Sequence, residues 1–344
     1  NPMNMPGTDR PFIVIGENIH TTRVLLRKGK LVGDDPQGVE SVRFRDGENK
    51  RRYLTIPEEV KKTQDYDEGR VKHLKIAVQQ AMLGDADALD YIRRQIQRQE
   101  EAGTDFLDLN VDEISLKEEE QKDAMRWLVK TVWELSDTPL SIDSSKIEIL
   151  EAGLEAGAEH PKRLLLNSAS LERPEVLAMA KQYNARVIIT AAGQSGMPAS
   201  AEERVDHASQ MIEKALALDL PLADFYIDPL YFPISVDSQF GHHSFDAIRQ
   251  LREKYGPDIH ISGGFSNVSF GLPCRHLIND VFLLLAVEAG ADSAIMDATT
   301  AALGDIFTMD RESRPYQLAE DMLLGKDEYC AAFLRAYRKG ELTT

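Results

Sequence analysis

The sequence predicts an α/β chain of the (β/α)8 TIM-barrel class, 344 residues long, with a long insertion after its first strand. Two observations carry this prediction. Eight short apolar runs each lead to a single acid, amide or hydroxyl and then into a helical stretch, which is how parallel strands buried on both faces read. From the second run onward they recur every 23–38 residues, close to the ~30 expected when about 250 residues are divided among eight units.

In chain order the strands are expected at residues 12–16, ending on Glu17; 106–109, containing Asp108 and ending on Asn110; and 140–142, ending on Asp143. They continue at 164–166, ending on Asn167; 187–189, ending on Thr190; and 225–227, ending on Asp228. The last two are 260–263, leading to Ser266 and Asn267, and 294–296, ending on Asp297. The helices between them have their own signals. Residues 85–103 carry Leu89, Ile92 and Ile96 at helical spacing and stop at Ala102-Gly103, a C-terminal glycine signal. Ser144 and Ser145 are expected to open a helix with Ile147, Leu150 and Leu154 on one stripe and Gly157 past its end. Residues 277–288 are apolar almost all round, which predicts deep packing, within the chain or against another subunit. The segment 316–340, with Leu323, Tyr329, Phe333 and Tyr337, reads as a C-terminal helical extension of one or two helices that covers the barrel's side.

The spacing assigns the whole of 1–344 to one domain. Only the first gap is anomalous, and residues 24–72 within it read as an insertion in the first βα connection. From Arg23 to Lys62 there are 11 Lys or Arg against 7 Asp or Glu, a basic island in a chain of net charge −17. Residues 42–45, a turn at 46–49 and residues 51–56 predict a β-hairpin. Following the first strand, it emerges at the catalytic rim. It reads either as a lid or docking surface for an acidic partner or anionic substrate tail, or as a solvated decoration.

The acidic balance excludes a nucleic-acid role, which needs clustered Lys and Arg. No apolar run approaches the ~18 residues of a membrane span, and the start, Asn1-Pro2-Met3-Asn4, lacks a basic segment followed by an apolar one. A cytoplasmic protein is expected. Cys274 and Cys330 read as plain thiols, belonging to neither a disulfide framework nor a metal cluster.

In a barrel of this class chemistry sits where the strands end, so the polar ring is the clue to function. A phosphate would call for a glycine-rich nest or clustered cations, and no Gly-x-Gly-x-x-Gly or Walker pattern follows a strand. A metal hydrolase would show His pairs at ligand spacing, whereas His242 and His243 are adjacent and diverge, so no bound metal is expected. A neutral heterocycle fits better. A carboxylate accepts two hydrogen bonds side by side from an amidine-like N–H/NH2 edge, and an amide offers a donor and an acceptor together. Asp143, Asn167 and Asp228 are therefore expected to grip the 2-amino-4-oxopyrimidine edge of a pterin. Singly, each also fits a cap or turn; together, on strand ends, they favour a site. Gly263-Gly264 permits close backbone approach to a flat ring, with Ser266 and Asn267 beside it and Asn267 toward the reacting part of the ligand. Glu17, Asp108, Asn110 and Asp297 complete the polar set.

The strings Ile15-Gly16-Glu17, Leu107-Asp108-Leu109-Asn110-Val111, Ile142-Asp143-Ser144, Asn167-Ser168-Ala169-Ser170, Tyr226-Ile227-Asp228-Pro229-Leu230 and Ser266-Asn267-Val268-Ser269-Phe270-Gly271-Leu272-Pro273, followed by Arg275-x-Leu277-Ile278-Asn279, carry a resemblance. The sequence resembles the pterin-binding methyltransferases, namely the methyltetrahydrofolate:corrinoid-protein methyltransferases, and more distantly the folate domain of cobalamin-dependent methionine synthase. The resemblance implies that Asp143, Asn167 and Asp228 hold the pterin and that Asn267 lies against N5, which bears the methyl group. It brings Arg275 into the site region. It implies tetrahydrofolate or 5-methyltetrahydrofolate as substrate, a homodimer, and a separate corrinoid-binding protein carrying cobalamin, since no Asp-x-His-x-x-Gly motif is present here. The chain departs from the family pattern at Gly16-Glu17-Asn18-Ile19-His20, where Gly-Glu-Arg-Ile-Asn is usual, at Asp112-Glu113 and at Ala191-Ala192. These changes bear on substrate and partner, not on the pterin grip. Two alternatives share the fold: a dihydropteroate synthase-like enzyme, for which the seventh and eighth strand ends lack the cations pyrophosphate needs, and a non-catalytic pterin-binding protein. An unrelated metal-dependent barrel hydrolase is disfavoured by the histidine positions.

Overall fold

The computed structural model describes residues 3–342, so the chain-end positions of the expected 1–344 domain, Asn1 and Pro2 included, lie outside the described residues. All eight expected strands are present in one eight-stranded sheet. They are β1 (Ile13–His20), β2 (Phe106–Asn110), β3 (Leu140–Asp143), β4 (Leu165–Ala169), β5 (Arg186–Thr190), β6 (Phe225–Asp228), β7 (His260–Ile261) and β8 (Ser293–Met296). Helices α1 (His73–Met82) and α2 (Ala86–Glu101) follow β1, and α3 (Glu118–Leu135) to α8 (Arg275–Ala289) alternate with the later strands through α4 (Ile147–Gly157), α5 (Glu175–Gln182), α6 (Ala201–Ala217) and α7 (Phe240–Tyr255). This is the (β/α)8 order. The residues form two compact units, Gly16–Leu165 and Asn1–Ile15 with Leu166–Thr344.

In the unit Gly16–Leu165, β2 and β3 pair in parallel with Leu107 opposite Leu140 and Asn110 opposite Asp143. Leu107, Leu109, Leu140 and Ile142 are fully buried, as strands apolar on both faces require. Asp85 caps α2 by accepting from the Ala88 N–H at 2.8 Å, and Gly103 closes the helix at φ 85°. β1 runs three residues past the expected end at Glu17, with Asn18 and Ile19 both buried. Glu17 therefore lies inside a strand, not at its end. The Ser144-Ser145 pair does not cap α4, which starts at Ile147 and includes Gly157. Both serines instead bond the Asp112 carboxylate, which captures them before the helix begins.

The insertion forms a three-stranded antiparallel sheet of Val32–Asp34, Glu40–Arg45 and Arg51–Thr55. The predicted hairpin is its core, and Asn49 takes the left-handed turn position at φ 63°. It is docked on α2: the Phe44 ring meets Tyr91 edge-on at 5.0 Å, and Arg52 pairs with Asp46, Asp87 and Asp90.

In the other unit β4 to β7 neighbour one another in chain order, with Thr190 opposite Asp228 and Tyr226 opposite His260. β4 continues to Ala169, so Asn167 also sits within a strand. The all-round apolarity of α8 is met inside the chain, where Phe282 packs against Tyr231, Phe245 and Phe265. The C-terminal extension is a pair of helices, α10 (Arg314–Leu323) and α11 (Ala331–Arg338), after a short α9 (Leu303–Phe307). Leu323 and Phe333 are buried, but Tyr329 and Tyr337 are exposed. Tyr329 lies on a separate 3-10 turn, and Tyr337 is one step round the helix from buried Ala336, off the apolar stripe.

Candidate active site

β6 delivers Asp228 at its end, where the chain turns sharply through Pro229-Leu230-Tyr231. Asp228 Oδ1 accepts the Leu230 N–H at 2.8 Å, and Leu230 takes φ 68° to make the turn. Tyr231 is buried, donates its hydroxyl to the Ser262 carbonyl at 2.9 Å and packs edge-on against Phe265. After β7, a 3-10 turn (Phe265–Ser269) carries Asn267 outward. Arg275 braces that turn, Nε to Ser269 Oγ at 2.9 Å and Nη2 to the Ser266 carbonyl at 2.9 Å. Asp228, Tyr231, Gly264, Asn267, Phe270 and Met197 line one cavity of ≈ 230 Å³. Gly263, at φ 143°, packs against two of the lining residues: a Cβ there would collide with the Tyr231 ring and come 2.8 Å from Asp228 Oδ1.

Burial pushes the Asp228 carboxyl up to about 7, while the Leu230 N–H and the Arg204 charge pull it down. A carboxyl that titrates near neutrality at the floor of a cavity, with an amide at its lip, is a donor and acceptor set for an uncharged heterocycle. Ser266 and Arg275 are outside the lining and shape the turn that holds Asn267. Asn167 is half-buried within β4, and the neighbouring Ser168 Oγ accepts from Arg173 Nη2 at 3.4 Å. Asp297 holds a local turn by accepting from the Thr299 N–H at 3.0 Å and its hydroxyl at 2.5 Å.

The unit Gly16–Leu165 contains a second polar cluster. His20 at the tip of β1 places Nε2 2.6 Å from Asp108 Oδ2 and 3.7 Å from Asp143 Oδ2. Ser141 donates to Asp108 Oδ1 at 2.5 Å. Burial raises the Asp143 carboxyl well above its ordinary range, and the Asp108 charge and hydrogen bond add to the rise. Burial lowers the His20 imidazole, against the opposing pull of Asp143 and Glu17. Donor atoms of His20, Asp108 and Asp143 lie within 4.8 Å of one another, the one set among the described residues with metal-ligand geometry. Asn110 turns aside to accept the Asp112 N–H at 2.9 Å, and Glu17 faces Arg23 at 4.0 Å.

Two residues here escaped the sequence reading. His20 ends β1 beyond its apolar run, and the apolar Ile19 beside it is the available signal. Arg204 falls on the stripe Ala201, Ala208, Met211, Ala215 of α6, and a charge on an apolar stripe is the available signal. His242, by contrast, is exposed and pairs with Asp246 at 3.1 Å on α7. A larger depression of ≈ 710 Å³ is lined by Glu100, Asp105, Asp137 and Pro139, where β2 and β3 begin; conserved stability, not chemistry, belongs to that end of a barrel.

The order of strands and helices defines the (β/α)8 class. A family model described as pterin binding enzyme matches residues 79–297, and the chain belongs to that family. It is 32% identical over 265 residues to the methylcorrinoid:tetrahydrofolate methyltransferase of Eubacterium limosum, covering 73% of this chain and 89% of that one. It is 30% identical over 216 residues to the methionine synthase of Mycobacterium leprae, covering 58% of this chain but 17% of that much longer protein. Among solved structures, the dihydropteroate synthase of Xanthomonas albilineans with 4-aminobenzoic acid aligns with a TM-score of 0.51 at 19% identity, over 65% of this chain and 85% of that one. That likeness speaks to fold alone.

Proposed function

We propose that this chain is a methyltransferase that moves a methyl group between N5 of a tetrahydrofolate and the cobalt of a corrinoid carried by a separate protein. The observation that carries the reading is the pairing of the buried carboxyl of Asp228 with the amide of Asn267 in one cavity, in a chain 32% identical over 265 residues to a methylcorrinoid:tetrahydrofolate methyltransferase.

In this reading Asp143, Asn167 and Asp228 bind the pterin edge, Gly263 and Gly264 let the ring lie against the backbone, and Asn267 addresses N5. N5 is a poor leaving group until the charge it gains is met by a hydrogen bond or a proton. The Asn267 amide donates there most strongly as the carbon–nitrogen bond breaks, and one such donor is typically worth about 3–4 kcal/mol. Alignment of the methyl between N5 and its acceptor supplies the rest. The corrinoid supplies a cobalt that takes up or gives the methyl. The reading includes a homodimer, a cytoplasmic location and no metal bound by this chain. No helix among the described residues is long and apolar enough to cross a membrane.

The test is direct. 5-Methyltetrahydrofolate should quench intrinsic fluorescence, and methyl transfer with free cob(I)alamin should appear in its visible spectrum. Asn267→Ala should slow transfer roughly 10²–10³-fold with far less effect on pterin affinity. No response to any reduced folate, or equal losses of rate and affinity in Asn267→Ala, defeats the assignment.

A further inference from the structure

Arg204 is the largest fully buried side chain among the described residues. Its Nε donates to the Leu230 carbonyl at 3.2 Å and its Nη1 to the Ser200 carbonyl at 3.0 Å. The guanidinium lies over the Phe232 ring at 5.0 Å, and Nη2 is buried with no hydrogen-bond partner among the described residues. Burying a charge this way is strongly unfavourable. A methionine would fill the same stripe of α6 without that cost, so packing does not explain the residue.

The charged and titratable groups facing the guanidinium are Tyr231, Glu203 and Asp228. Glu203 is occupied with the Ala199 N–H at 2.8 Å, and the Tyr231 hydroxyl is committed to Ser262, its ionisation driven far up by burial. Asp228 and Tyr231 both line the cavity, and of the two only Asp228 can carry a charge near neutral pH. It is joined to Arg204 through a single residue: the Leu230 N–H donates to Asp228 Oδ1, and the Leu230 carbonyl accepts from Arg204 Nε. The Leu230 residue is gripped at both its N–H and its carbonyl and held at its left-handed φ.

We propose that Arg204 is a positioning residue for Asp228: acting through Leu230 and by its charge, it aims the carboxylate into the cavity and keeps it anionic, ready to accept the paired N–H donors of a pterin. The inference rests on Asp228 being a pterin ligand. It assigns to α6, which contributes nothing to the cavity lining, control over the pH at which the site is competent. The Arg204 charge lowers this carboxyl, as an opposite charge does, against the burial that holds Asp228 at about 7.

The experiment is 5-methyltetrahydrofolate binding by fluorescence across pH 5.5–9, on wild type, Arg204→Met, Arg204→Lys and Asp228→Asn. Wild type should lose affinity below a midpoint near 7, and Asp228→Asn should bind weakly without that titration. Arg204→Met should move the midpoint up by about one unit, a roughly fivefold loss at pH 7, where the ionised fraction falls from about a half to about a tenth. Arg204→Lys keeps the charge but cannot reach both carbonyls, so its midpoint should stay in place while affinity falls a few-fold. A wild-type midpoint in Arg204→Met overturns the inference. Should Arg204→Met fail to fold, wild type decides: a fully buried charge is little screened, so the midpoint should hold between about 20 and 500 mM salt, and a midpoint that moves overturns the inference. Wild type that binds no reduced folate at any pH overturns the pterin reading and this inference with it.

Discussion

His20 and Asp108 stand 88 residues apart in the chain and 2.6 Å apart in space, imidazole Nε2 against carboxylate Oδ2. Asp108 is fully buried and also accepts the Ser141 hydroxyl, so the contact ties the tip of β1 to β2 and β3. Hydrogen bonds to charged groups are worth about 1.5–3 kcal/mol. His20→Leu should destabilise the protein by that amount in urea unfolding, and His20→Gln, which can still donate, should recover part of it. An unchanged midpoint in His20→Leu would remove this contact from the fold's energetics.

Gly263→Ala should disturb the cavity through the two lining residues packed against it, Tyr231 and Asp228. The φ of 143° is poorly open to L side chains, and the new methyl would strike the Tyr231 ring and crowd Asp228 Oδ1. Overpacking of this kind costs about 1–3 kcal/mol, and displacement of Asp228 should weaken reduced-folate binding at least about tenfold. Calorimetric binding with intact affinity would show that Tyr231 yields and that Asp228 is not held where the geometry places it.

Stability should fall as pH rises through the titration range of the buried carboxyls. Asp228 binds its proton more tightly folded than unfolded, with a value raised from 3.8 to about 7. Its contribution is fully present below the unfolded value and is lost as pH climbs through the folded one, a change on the order of 4 kcal/mol for a shift of this size. Asp143 acts with the same sign. Asp228→Asn should flatten the pH dependence of unfolding between pH 4 and 7; an unaltered slope would mean the carboxyl does not hold its proton in the native state.

Arg52 bridges Asp46 of the hairpin turn to Asp87 and Asp90 of α2. The pairs are partly solvated, so Arg52→Met should change global stability by less than about 1 kcal/mol. Backbone exchange across residues 40–55 should nonetheless quicken, because packing such as that of Phe44 against Tyr91 then holds the hairpin on α2 without the ion pairs. Unchanged exchange would show that the ring contact alone suffices.

The positions of the strands were legible because burial on both faces leaves a continuous apolar run, and residues 106–110, 140–143 and 225–228 show it plainly. Where a strand continues through polar residues, as β1 does to His20 and β4 to Ala169, the run breaks and the element outlasts its signal. Asp228 and Asn267 were both read as site residues, and the cavity contains both. Ser266, Arg275, Asn110 and Asp297 were read with them, and each takes part in a hydrogen bond that shapes a turn.

Residue order alone settled the alternation of strand and helix, the basic hairpin and the polar residues at strand ends, since these follow from local periodicity and turn chemistry. Only tertiary structure decided that His20 would face Asp108, that Leu230 would join Asp228 to a buried Arg204, and that Asp228 would titrate near neutrality. Those outcomes depend on desolvation and on which side chains distant segments bring within a hydrogen bond of one another, and neither quantity exists until the chain has packed.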